Sequence, residues 1–172
     1  LLSCESYPSK ILKKNIITNF DELLVDIRSL IKESEKKSQT KINSINLNIP
    51  MVDSISKYYD SEIANINNQI TELDIKKAIN NSDYFLTHED YFELFSNIYG
   101  YILDNNLLFN SPLGNYANNL KILFYKILIP FKIFKSYNNI VDRLNIKIDN
   151  YVPSSLASSL AVLSNDEKMI GS

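Results

Sequence analysis

Side chains able to act as acids, bases or nucleophiles are few in this chain, and they are poorly spaced for catalysis. His88 is the only histidine and Cys4 the only cysteine. A histidine triad or an imidazole-bearing metal site would have to run through His88 alone. That residue lies between Thr87 and the carboxylates Glu89 and Asp90. Thr87 and Asp90 are three apart, as in a capping box with Asp in place of Glu, which assigns His88 to the first turn of a helix. Glu89 and Glu93 would then share one helix face, whereas acid–base work by paired carboxylates places them across a cleft. No GxxxxGK, GxSxG, HExxH or CxxC is present, and Gly100, Gly114 and Gly171 are too scattered to cradle a phosphate. The expectation is a protein that is not an enzyme, with no catalytic residue, cofactor or metal.

Four other features carry candidate sites. Cys4 closes "LLSC", which matches the end of a lipoprotein signal and makes lipidation a candidate. A free or intermolecular thiol is the alternative, because one cysteine closes no internal disulfide. The first residue is Leu rather than Met, the pattern of a mature or trimmed product. Asn80 begins the glycosylation sequon Asn80-Asn81-Ser82. Lys121, Lys126, Lys132 and Lys135 punctuate "KILFYKILIPFKIFK" (121–135) and form a candidate basic surface for an acidic partner or lipid.

That stretch does not span a membrane. A spanning helix needs about 20 largely uncharged residues, and the longest lysine-free piece is Ile127–Phe131, with Pro130 inside it. Buried core with lysine tips reaching water is the preferred reading, so Ile127 and Leu128 should be inaccessible. Residues 78–120 contain no Lys or Arg but hold Asp83, Glu89, Asp90, Glu93 and Asp104. Residues 121–148 carry six basic residues against Asp142. Two such segments satisfy each other when packed together.

The chain has 172 residues, 45% hydrophobic and 22% charged, enough for one domain with its own core. Its 24 Ile, 22 Asn and 11 Tyr point to an A/T-rich genome. A net charge of −2 with only Arg28 and Arg143 as arginines argues against nucleic acid as a partner.

Apolar spacing predicts the elements that must hold these residues. Ile16, Phe20, Leu23, Ile27 and Leu30 recur every three or four residues, which predicts a helix over 9–37. Val52, Ile55, Tyr59, Ile63, Ile66, Ile70 and Leu73 do the same over 51–79. Two such helices should pair antiparallel. "INSINLNIP" (42–50) alternates like a short strand yet also keeps helical spacing, and is assigned as a connector. A third helix starts at Thr87, a fourth covers 115–129, a fifth runs from Pro130 to about 149, and a short sixth starts at Ser154 with Leu156, Leu160 and Leu163 inward. The expected fold is all-α: a single-domain bundle of five or six helices over 9–164, with tails at 1–8 and 165–172.

"YFELFSNIYGYI" (91–102) resembles the Glu-Leu-Phe…Asn-Trp-Gly-Arg segment of Bcl-2 apoptosis regulators, with Tyr99 in place of the Trp and Tyr101 in place of the Arg. The resemblance covers a dozen residues, no second Bcl-2 motif follows, and it implies a helical bundle holding a partner helix in a groove. The leading expectation is a helical protein-binding module, extracytoplasmic or secreted, acting through a surface. A lipid-binding bundle and a Bcl-2-like regulator are the alternatives. Oligomeric state is left open.

Overall fold

The computed structural model describes residues 2–8, 11–13, 16–64, 68–84, 90–108 and 110–170. Elements follow as β1 (Leu12–Lys13), β2 (Ile16–Ile17), α1 (Phe20–Ser38), β3 (Ser44–Ile49), β4 (Ile55–Ile63) and β5 (Asn68–Gln69). Next come α2 (Glu72–Tyr84), β6 (Tyr91–Leu103), β7 (Asn106–Leu108), β8 (Tyr116–Ala117) and β9 (Leu120–Pro130). The last are α3 (Phe131–Leu144), β10 (Lys147–Pro153), α4 (Ser154–Val162) and α5 (Asn165–Ile170). The fold is mixed α/β, which corrects the all-α expectation, and it divides into two compact units.

The first unit joins Leu1–Val52 to Phe131–Ser172. α1 begins where the Asn19 side chain accepts the Glu22 N–H, and it ends where Gln39 turns left-handed at φ 53°. Its Leu23 and Leu24 pack with Ile11 and with Ile140 of α3. β3 lies parallel to β10, from Ser44 opposite Lys147 to Ile49 opposite Pro153. The Asn150 amide donates to Asn46 Oδ1 at 2.9 Å across this pair.

The second unit is Asp53–Pro130. It is built on a four-stranded antiparallel sheet in the order β4-β9-β6-β7. Tyr59 lies opposite Phe124, and Ile63 opposite Leu120. Side chains alternate across a strand, so Leu120, Ile122 and Phe124 face one way. α2 covers that face with Ile75, Ala78 and Ile79, together with Ile70 and Leu103. Each fully buried aliphatic or aromatic side chain here contributes about 1.5–3 kcal/mol.

The reason for the correction is arithmetic. Ile55, Tyr59 and Ile63 are spaced by four, which keeps residues on one face both at 3.6 residues per turn and at the strand period of two. The proposed helix over 51–79 is therefore β4 followed by α2, and the helical hairpin does not form. Residues 91–102 lie in β6, so the helical resemblance to Bcl-2 proteins fails. The fourth helix is β9, and "apolar nearly all round" there marks a strand buried on both faces toward its end, with Ile127, Leu128 and Ile129 all buried. "INSINLNIP" contains β3, not only a connector. Helix-breaking Pro130 does divide two elements, and helices begin at Phe131 and Ser154. Leu160, expected to point inward, is exposed.

Candidate functional site

β9 is an interior strand of its sheet, between β4 and β6, and its odd-numbered residues up to Tyr125 point away from α2. Tyr125 lies between Tyr58 of β4 and Asn97 of β6 in the strand register. The β6 register slips between Ile98 and Gly100, the signature of a bulge. That extra residue is Tyr99, whose ring reaches Tyr58. The ring centroids of Tyr58 and Tyr99 are 5.4 Å apart in an edge-to-face arrangement, and those of Tyr58 and Tyr125 are also 5.4 Å apart. Edge-to-face packing sets the positive edge of one ring against the negative face of the next. Tyr58, Asn97, Tyr99 and Tyr125 line a shallow depression of about 650 Å³. Tyr58 is 73% exposed and Tyr99 40% exposed.

A Cβ at Gly100 would approach the Leu107 and Leu123 side chains at 3.6 Å each and the Leu108 carbonyl oxygen at 3.4 Å. These are ordinary contact distances, so the strand pairing leaves room for a Cβ at this position. On the same face of β9, Lys121 Nζ is 3.3 Å from Asp60 and 3.4 Å from Glu62. The Asp60 contact, then Glu62, raises the lysine's pKa above its ordinary value. Exposed aromatic rings with phenol and amide groups among them suit a protein partner: they bury much area at little entropy cost and keep polar ends for hydrogen bonds.

The four lysines of the sequence-derived basic surface fall into two units. Lys121 borders the tyrosine face, and Lys126 points to the other face of the sheet. There its side chain is 1% exposed, 2.8 Å from Glu93 and 5.1 Å from the centroid of the Phe124 ring. Lys132 and Lys135 are exposed on α3, where Lys135 lies 5.8 Å from the Phe131 ring centroid. Ile127 and Leu128 are buried, as the core reading requires. Cys4 is exposed, and Asn80 is exposed on α2. His88 and the Thr87 cap lie outside the described residues. Among the described residues no group of three His, Cys, Asp or Glu side chains could hold a metal, and no helix is long and apolar enough to cross a membrane.

Sequence reasoning missed the tyrosine site altogether. Its signal was available in β4, where "SKYYDSE" alternates and places Tyr58 with Asp60 and Glu62 on the polar side.

Comparison with known proteins bears on both units. No protein-family model matches the chain. The cell division protein FtsA of Neisseria meningitidis serogroup B is 26% identical over 164 residues, 95% of this chain and 40% of that protein. FtsA of Pseudomonas aeruginosa is 22% identical over 166 residues, 96% of this chain and 40% of its own length. FtsA of Buchnera aphidicola subsp. Schizaphis graminum is 26% identical over 163 residues. This chain is similar to FtsA. It spans about 40% of the length of these relatives. The expectation of an extracytoplasmic or secreted helical binding module is corrected: the relatives are bacterial proteins named for cell division, and the fold is α/β.

Proposed function

We propose that this chain is a segment of a cell-division protein of the FtsA kind, and that it acts there by contact with another protein through the tyrosine face of the Asp53–Pro130 unit. The observation that carries the first half is extent. The similarity to FtsA runs along 92–96% of this chain, and so through both compact units, in proteins of several bacteria. The second half rests on Tyr58 and Tyr99, which hold large rings in water against one another on the sheet face away from α2. The role is binding rather than catalysis: the polar groups of the face are phenols, an amide and a lysine already held by two carboxylates.

A fluorescent fusion of the chain expressed in Pseudomonas aeruginosa tests both halves. The fusion should concentrate at the division site, and Tyr58→Ala with Tyr99→Ala should disperse it while leaving the protein folded. Uniform fluorescence from the unmodified fusion, given a folded protein, counts against the cell-division reading. Undiminished recruitment of the double variant removes only the tyrosine face.

A further inference from the structure

We propose that a depression beside the second half of α1, in the unit formed by Leu1–Val52 and Phe131–Ser172, binds a phosphate-bearing anion through Arg28, Lys32 and Lys41. The depression holds about 450 Å³, large enough for a phosphate ester rather than a bare ion, and Ile31 and Ile42 supply apolar wall beside the cations. Arg28 and Lys32 are one turn apart on α1 and so share its face. The Arg28 guanidinium is held in place by donating to the Arg143 carbonyl at 3.2 Å, and its other N–H groups remain to serve an oxyanion.

Lys41 comes from the loop that follows α1, and that loop is fixed. Gln39 turns left-handed, Thr40 and Ser38 exchange hydrogen bonds, and Glu35 accepts the Ile42 N–H at 2.8 Å. Glu35 is the one carboxylate lining the depression, so three cations face one anion whose oxygen is already engaged. Among the described residues neither Lys32 nor Lys41 has a carboxylate within ion-pair distance, whereas Lys37 on the same helix is held by Glu5 at 2.5 Å and Glu33 at 3.1 Å.

The test uses the full chain with two probes at low ionic strength: glycerol phosphate in solution, and vesicles of phosphatidylglycerol compared with phosphatidylcholine. Glycerol phosphate should shift the amide resonances of Ile42, Asn43 and Asn145, or phosphatidylglycerol vesicles should bind the chain while phosphatidylcholine vesicles do not. The first result assigns a soluble phosphate ester and the second a lipid headgroup. Lys32→Gln with Lys41→Gln should weaken whichever binding occurs at least tenfold, and Lys57→Gln on the other unit should leave it unchanged. These lysines are exposed, so an unchanged melting temperature verifies folding. Binding of neither probe, or equal weakening by Lys57→Gln, overturns the proposal.

Discussion

Lys121 and Lys126 stand five residues apart on one strand and belong to opposite faces of one sheet. Lys121 is a third exposed and bridges Asp60 and Glu62, which are themselves half in water. Lys126 is removed from solvent, with the Glu93 carboxylate at 2.8 Å and the Phe124 ring beneath it. An odd separation on a strand reverses the side, and the side decides the medium. The same charge is therefore a screened surface contact at one position and a desolvated ion at the other. Desolvation of an ion costs several kcal/mol unless partners offset it, while exposed pairs contribute little. The covered face holds the core under α2; the open face stays in water.

Substitution at neighbouring positions should break this comparison most directly. Phe124→Ala removes a ring that is 2% exposed from the core under α2 and should cost about 3–5 kcal/mol. Tyr125→Ala, next along the strand on the open face, should cost about 1 kcal/mol. Equal losses for the two in urea melts would show that the faces do not differ. Glu93→Ala should come next, at about 2 kcal/mol, because it takes the Glu93 carboxylate from a buried cation; Glu93 is a third exposed, which moderates the loss. Lys126→Met should be nearly neutral, since it removes the desolvated charge together with the need for a partner. A Lys126→Met protein as unstable as Glu93→Ala would mean that the pair stabilises the fold outright.

How much of this was legible beforehand depends on which periods a residue pattern can separate. α1 was readable only from Phe20 on: the helix expected from residue 9 gives way to strands at Leu12–Lys13 and Ile16–Ile17, so Ile16 of its stripe is not helical. The stripe over 51–79 also mixes threes and fours and misled: within β4 its members are four apart, which serves both periods, and its nearest threes, Val52 to Ile55 and Ile63 to Ile66, fall outside Ile55–Ile63. β-branched and aromatic enrichment was the remaining arbiter in "YFELFSNIYGYIL" and "LKILFYKILIP", and both are strands. Burial of Ile127 and Leu128 was legible because hydrophobicity forecasts depth without regard to element type. The tyrosine face was not, because Tyr58 and Tyr99, 41 residues apart, are brought together only by the pairing of β4 and of β6 with β9 between them and by a bulge.

On the open face the expected effects are functional rather than structural. Tyr58→Ala should leave the melting temperature almost unchanged, as the ring is mostly in water, yet it should reduce recruitment to the division site. Lys121→Ala should shift neither stability nor fold measurably, because its partners stay hydrated when it is gone. A cooperative loss of structure in Lys121→Ala would place that lysine with Lys126 and erase the contrast.

A small, pH-dependent effect concerns the helix that makes one face dry. α2 starts with a reciprocal cap: Thr71 donates its N–H and its hydroxyl to Asp74 at 3.0 and 2.6 Å, and Asp74 returns its N–H to the Thr71 hydroxyl at 3.4 Å. The Thr71 hydroxyl first, then its N–H, hold the Asp74 carboxyl below its ordinary pKa. A carboxylate favoured by folding adds stability that is complete above the unfolded value of about 3.9 and disappears as pH falls through the lower folded value. Asp74→Asn should thus melt slightly below the unmodified chain at pH 6, and the gap should close between pH 4 and pH 2. A gap that stays constant or widens on acidification would show that the carboxylate's charge does not support α2, and that apolar packing of Ile75, Ala78 and Ile79 alone holds the covering helix in place.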